Sequence, residues 1–448
     1  MIGYIASLSV LLVATAFVLG IRAGILATLL LHPVAASGWY ANYFLGGIKL
    51  NPLVLMGLIV PMFLFLRAFT RGPSFAKMPL VGIWTVYLCY NLFAGTFHAI
   101  DEGPARSLDL IFRHIAGFVG FYMLQAFFTE KKDFKRLLLT LVASGLFPVL
   151  VILFQIATGS GALREMSEGG DLRLDDAYGL TRYSGFYHDI VSVRGYVFQC
   201  LAGIILYWAY FIRPNRDVIW KVMLGGLSVA CVFVLYKMYS KAAIGTMILW
   251  FGIWCVGYRK IGLAIVLCLL VVGINALHSD LIFSETGQLF QVELSEATEG
   301  SANVDSRRLL SGRVGVWQHS LAQFGEATAI EQMFGFRSAG GAHNDYLQKL
   351  FYGGFVGLTI YLLLLWMIGV RVLKLYMQRT TPINLMAAMI FGGWLIDTIG
   401  VVPSLYPGYQ WYAWGMIGLA IKGLAFEPEA GSAAGRLPVQ RPLEALVK

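Results

Sequence analysis

The chain has 448 residues, of which 58% are hydrophobic and only 13% charged, against about 25% charged in soluble domains. Its apolar residues fall in blocks of about 20, the length a helix needs to cross a hydrocarbon core, which excludes an ordinary soluble enzyme and predicts an all-α polytopic membrane protein. The net charge of +9 comes mainly from short loops between these blocks. No solvated basic face interleaved with aromatics is present, so nucleic acid is excluded as a partner.

In chain order, apolar spans read at 8–38, 52–69, 80–97, 108–128, 134–157, 190–211, 218–236, 240–257, 261–278, 346–370, 383–402 and 409–426,. The first contains Gly20, Arg22 and Gly24 and is read as one long kinked helix. About twelve spans then leave both ends cytoplasmic, with basic loops inside. The loops concerned carry Arg67, Arg71 and Lys77; Lys131, Lys132, Lys135 and Arg136; Arg213 and Arg216; Arg259 and Lys260; and Arg371, Lys374 and Arg379. The opening MIGYIASLSV lacks a basic n-region, so the first helix is expected to be retained,. The layout is a first transmembrane part, 1–278, with an outer loop at 158–189; a periplasmic loop, 279–345; a second transmembrane part, 346–426; and a cytoplasmic tail, 427–448. Cys89, Cys200, Cys231, Cys255 and Cys268 all lie within spans without ligand-like spacing, which leaves no disulfide framework and no zinc site to argue from,.

The two long outer loops carry the polar chemistry. Segment 158–189 opens on the Gly- and acid-rich GSGALREMSEGGDLRLDD, which reads as loop, and passes into LTRYSGFYHD,. Within 279–345, RRLLSGRVGVWQHSLAQF sets Leu310, Val314, Trp317, Leu321 and Phe324 on one helical stripe,. Arg307 and Arg313 flank that stripe and His319 faces away from it. The predicted helix lies on the membrane surface with its arginines toward the bundle.

Cations on the outer side are the anomaly. Arg113, Arg194, Lys237 and Lys241 stand at outer span ends, and Arg182, Arg307, Arg313 and Arg337 in outer loops. An ionised side chain in a span costs a few kcal/mol and usually has a partner. Asp189 and Asp397 can supply some partners, and the surplus points to an anionic ligand at the outer leaflet. The planar guanidinium suits phosphate, and a lipid diphosphate fits both the charge and the place.

The stretch MFGFRSAGGAHNDYLQKLFYGGFVGLTIYLLLL leads a Gly-rich approach into His343, followed by Asn344 and Asp345, which are good helix caps,. The positive end of the following helix disfavours imidazolium at His343, while Asp345 nearby favours it. A neutral imidazole there can act as a general base; the bland alternative is a capping or interfacial histidine. His319 reads as a solvated surface residue and His188, beside Asp189, as a minor site contact. His32 and His114 read as structural groups within spans. SLYPGYQWYAW reads first as an interfacial aromatic belt,.

LTRYSGF (180–186), YSKAAIG (239–245), SGRVGVW (311–317) and HNDYLQ…GGFVGL (343–358) resemble, in this order, motifs of the O-antigen ligase and O-antigen polymerase superfamily. The resemblance spans roughly 180–370, and the helix layout with a late outer loop extends it. Arginine is expected where Lys241 stands, and Asn-Pro where FYHD follows Arg182. The resemblance implies a metal-independent, cofactor-free glycosyltransferase of the GT-C type in the bacterial inner membrane. The donor would be an undecaprenyl-diphosphate-linked glycan and the acceptor lipid A–core oligosaccharide. Carried over by motif, His343 activates the acceptor while Arg182, Lys241 and Arg313 hold the diphosphate. Arg194 and Arg337 are further cation candidates, and Asn344 and Tyr346 are motif neighbours. The nearest alternative is a polymerase of the same superfamily. A polysaccharide-lipid transporter is more distant, because the charged groups cluster at one face and no duplicated half is visible.

Overall fold

The computed structural model describes residues 2–41, 43–45, 48–71, 78–159, 176–177, 180–187, 189–213, 216–262, 313–335, 343–378 and 381–426, with isolated positions between 265 and 290. The described residues are all-α apart from two short antiparallel ladders, β1 (Tyr43–Leu45) with β2 (Ile48–Leu50) and β3 (Asp176–Ala177) with β4 (Leu180–Thr181). Among the described residues, seven helices are long and apolar enough to cross a membrane. Shorter apolar helices, Ile21–Ser37, Pro52–Arg67 and Lys241–Gly257, stand among them. Large apolar side chains face outward along them, such as Ile219, Val222, Val229 and Trp366. A soluble protein does not leave such a surface to water, whereas lipid covers it without cost.

The first predicted span is two helices. α1 (Ile2–Leu19) and α2 (Ile21–Ser37) are separated by Gly20 in extended conformation. A single helix over 8–38 would run about 46 Å at 1.5 Å per residue, well beyond a core of about 30 Å. The two shorter helices fold back on each other: a Cβ on Gly38 would stand 2.3 Å from that of Ala6, and one on Gly3 3.2 Å from that of Ala41. Arg22, just past the turn, pairs with Asp133 at 3.2 Å. Ile2, at the other end of the hairpin, packs with Phe186 and Tyr40.

α3 (Pro52–Arg71), α4 (Val81–Glu102), α5 (Pro104–Phe127) and α6 (Lys131–Thr158) follow, then α7 (Ile190–Phe211), α8 (Val218–Lys237) and α9 (Lys241–Gly257). The expected span at 261–278 lies mostly outside the described residues. α10 (Arg313–Gly325) and α11 (Ala329–Phe334) come from the late loop, and α12 (Asp345–Gln378), α13 (Pro382–Gly400) and α14 (Pro407–Lys422) close the bundle. At the end of α14, Lys422 donates to Gln125 O at 3.1 Å and Ala425 N–H to Thr129 O at 3.0 Å. That end therefore lies at the face of Asp133 and Arg22, while Ile2 lies at the opposite one. The two described ends stand on opposite faces, against the expectation of a shared side. Splitting the first span into two helices reverses the direction of the chain at its start.

The core is aromatic. Trp84, Trp394, Trp411 and Trp414 are buried where α4, α5, α13 and α14 meet. Small residues let α14 approach α5, and a Cβ on Gly120 would stand 2.6 Å from Trp411 Cα, the close backbone packing that membrane helices use. α12 spans 34 residues but breaks at Gly354, with φ 61°. Unbroken it would measure about 51 Å. The break sets the segment from Asp345 to Gly353 apart from the long helix and lays it against α11.

Candidate functional site

The N-terminus of α12 is clamped by its own first residues. Asn344 Oδ1 accepts the Leu347 N–H at 3.0 Å, the usual cap bond, and its Nδ2 donates to Ile399 O at 3.2 Å. Asp345, fully buried, accepts from Tyr361 OH at 2.5 Å and from Ser404 Oγ. Ser404 belongs to a short 3-10 turn, Pro403–Leu405. Together these bonds fasten the helix start to the end of α13. His343, the next residue outward, adopts φ 45°, uncommon for a residue with a Cβ.

His343 stays exposed to solvent. Its pKa lies below the ordinary histidine value; partial desolvation is the largest cause, the Arg313 charge adds to it, and Asp189 opposes it. The expected opposing carboxylate was Asp345, but that group is turned into the protein. Asp189 caps α7, its Oδ1 accepting from Ser192 N–H at 2.8 Å, while its Oδ2 accepts from Tyr406 OH at 3.1 Å.

Arg313 begins α10 and reaches the end of α13: a Cβ on Gly400 would stand 3.0 Å from its Nη1. The inward face of α10 shares Phe324 with the predicted stripe. Ser320 and Phe324 are buried while Leu321 is 50% exposed, and Phe324 packs on Leu350 and Phe351 of α12. The Phe324 anchor turns the helix so that Arg313 shares the inward face. His319 is exposed, as expected, and bonds Gln323 at 3.1 Å.

One turn before Gly400, Asp397 accepts from Arg194 Nη2 at 2.7 Å, with both side chains buried, and Arg194 Nη1 donates to Ser240 Oγ at 3.0 Å. Arg194, expected as a diphosphate cation, thus spends its charge inside the protein. Lys241 follows Ser240, its Nζ 5.8 Å from the Phe290 ring centre. Arg182 is half-buried in the connection from β4 to α7, close to where Gly185 N–H donates to Gln155 Oε1 at 2.9 Å. Tyr346 OH accepts from Thr398 at 3.0 Å. Arg307, Arg337 and His188 lie outside the described residues.

Two features escape the sequence. The first is a cavity of about 380 Å³ among α2, α3, α5, α7 and α14. Its outer part carries His32, Asn51, Arg113, Asp189 and Tyr406, and its deeper wall Gly57, Pro61, Ala116 and Val119. Arg113 Nη1 donates to Leu405 O at 3.0 Å. His32, read as a satisfied group, pairs its Nδ1 with Tyr196 OH at 2.6 Å, but its buried Nε2 has no hydrogen-bond partner. Gly408 packs against the imidazole, where a Cβ would stand 2.4 Å from His32 Nδ1.

The second feature is a buried polar spine beneath His343. Lys349, 2% exposed, lies with Nζ 2.6 Å from His114 Nδ1 and over the rings of Tyr87 and Tyr361. Tyr352 stacks on His98 and meets His114 at a tilt of 50°. The available signal was the i,i+4 pair Asp345 and Lys349, which a helix start makes easy to dismiss as cap and snorkelling lysine.

The fold defines a multi-pass, all-α membrane protein in which His343, Arg313 and Asp189 come together at the start of α12. No protein-family model matches the chain, and a search of curated proteins finds no relative.

Proposed function

We propose that the protein is a glycosyltransferase of the O-antigen ligase type, transferring a glycan from undecaprenyl diphosphate to an acceptor hydroxyl, that of lipid A–core oligosaccharide, at the periplasmic face. One observation carries this reading: an exposed histidine biased toward its neutral form stands by Arg313 and by Asp189, and Asp189 also lines a cavity polar at its outer end and apolar in depth. Such a gradient suits an amphiphile whose head sits at the surface and whose isoprenoid chain runs between helices. The ordered motifs around Arg182, Lys241, Arg313 and His343 point the same way.

In the proposed step the acceptor oxygen attacks the anomeric carbon while His343 takes its proton. The bond from that carbon to the phosphate oxygen breaks, and the diphosphate leaves with the electron pair. Arg313, Arg182 and Lys241 stabilise the charge that develops on it; Arg113 stands at the polar end of the cavity. In a reconstituted assay with a polyprenyl-diphosphate-linked glycan, His343→Ala should lower transfer by about 10²–10⁴-fold, the usual contribution of general base catalysis. Full activity in that variant would sink the mechanism. Supplying lipid A–core separates ligase from polymerase, since a polymerase lengthens the carrier-linked glycan and leaves the core unmodified.

A further inference from the structure

A second concavity lies at the opposite face, remote from His343. Lys131, Lys132 and Lys135 come to it from the first turns of α6, Arg213, Arg216 and Asp217 from the α7–α8 connection, and Phe211 from the end of α7. They enclose about 570 Å³. Five cations thus face one space with a single carboxylate. Asp217 Oδ2 accepts the Arg213 backbone N–H at 2.8 Å and so shapes the connection. Asp133, in the same turn as the lysines, is turned to Arg22 at 3.2 Å and Arg136 at 3.9 Å, neither of which lines the space.

Basic loops on one side of a membrane protein need no ligand to explain them, since they set orientation. Orientation requires only that the charges lie on that side, however, not that they converge. Arg259, Lys260, Arg371 and Lys374 belong to the same class of loop and stay outside the concavity. The site also adjoins residues of the kind found at a membrane interface. Lys135 Nζ lies 5.7 Å from the Phe211 ring centre and 6.0 Å from that of Tyr207. Tyr207 meets the half-exposed Trp220, an interfacial anchor by type, and the adjoining Val218, Ile219 and Val222 are exposed and apolar.

We infer that this concavity binds the phosphate head of an anionic phospholipid, with a two-phosphate lipid of the cardiolipin type as its best occupant. Cations between helix ends at the basic face recognise such heads. The four net positive charges of the lining, five cations less one carboxylate, exceed what one monoanionic head neutralises. The lipid-facing surface beside it gives the acyl chains a place that a soluble polyphosphate would not use. This site is independent of the chemistry proposed for His343.

The test uses the full chain in neutral detergent, with native mass spectrometry against cardiolipin, phosphatidylglycerol and phosphatidylcholine, and free pyrophosphate as competitor. Wild type should retain cardiolipin in preference to the others. The triple variant Lys132→Gln/Lys135→Gln/Arg216→Gln should lose affinity on the order of a hundredfold, about fivefold for each cation removed. The charge-matched control Arg259→Gln/Lys260→Gln/Arg371→Gln should bind as wild type. Equal loss in the control, no loss in the triple variant, or displacement of the lipid by pyrophosphate would each overturn the inference. If the triple variant does not elute as a folded protein, Arg216→Gln alone decides, with about fivefold weaker binding expected.

Discussion

His343 draws its chemistry from residues that are distant in sequence. The helix start behind it contributes the clamp, Arg313 lowers its pKa and Asp189 raises it. The sign of each effect sets a pH test. Because the pKa lies below the ordinary 6.5, the active neutral form persists into mildly acid solution, and kcat/KM should fall only below that value. Arg313→Gln removes a lowering charge and should move the acid limb upward in pH, whereas Asp189→Asn should move it downward. Profiles unmoved by either change would mean that another group titrates. Arg194 calls for the opposite expectation. It is buried against Asp397, so Asp397→Asn should destabilise the fold by about 3–5 kcal/mol, the cost of stranding a buried charge. The double variant Arg194→Met/Asp397→Leu should recover most of the loss in thermal unfolding and retain transfer activity, because the pair is internal. The motif resemblance implies roles for Arg182, Lys241, Arg313 and His343, but it does not say which cation already has a carboxylate.

At the scale of elements, helices were legible and their joints were not. The apolar blocks match α3 to α9, α13 and α14 within about five residues, because a helix that must bury its backbone in lipid has to be long and apolar throughout; α12 runs eight residues past its expected end at 370. The joints depend on contacts made afterwards. Gly20 and Gly354 both read as glycines in apolar runs, yet one turns the chain back and the other breaks a helix to seat α11. The face of α10 is fixed in a similar way: Phe324 of the expected stripe packs on Phe351, while Leu321 is left exposed. Gly354 allows a direct test. Its φ of 61° and the 2.3 Å that would separate a Cβ from the Met333 carbonyl carbon both oppose a side chain. Gly354→Ala should therefore cost at least about 1–3 kcal/mol and release α11. Faster amide exchange at 329–335 would register that release, and unchanged protection would show that the loop adjusts.

For the whole molecule, the α1–α2 hairpin changes the topology. Ile2 and the end of α14 lie at opposite faces, so reporters fused before residue 2 and after residue 448 should report opposite compartments. An alkaline phosphatase domain should be active at one end only, and a fluorescent protein should mature at the other only. Two reporters on the same side would restore the single long first helix. What the sequence by itself determined is that the chain is a helical, multi-pass membrane protein with His343 at a helix start. Composition, run length and charge are properties of residues and near neighbours, and lipid imposes its requirement on each segment separately. Only the tertiary structure decided that Arg194 is spent on Asp397, that Asp345 turns inward while Asp189 biases His343, and that His32 and Arg113 line a cavity. Those outcomes depend on which helices meet, and that is set by the fit of small residues and buried aromatics across the whole bundle, which no single segment encodes.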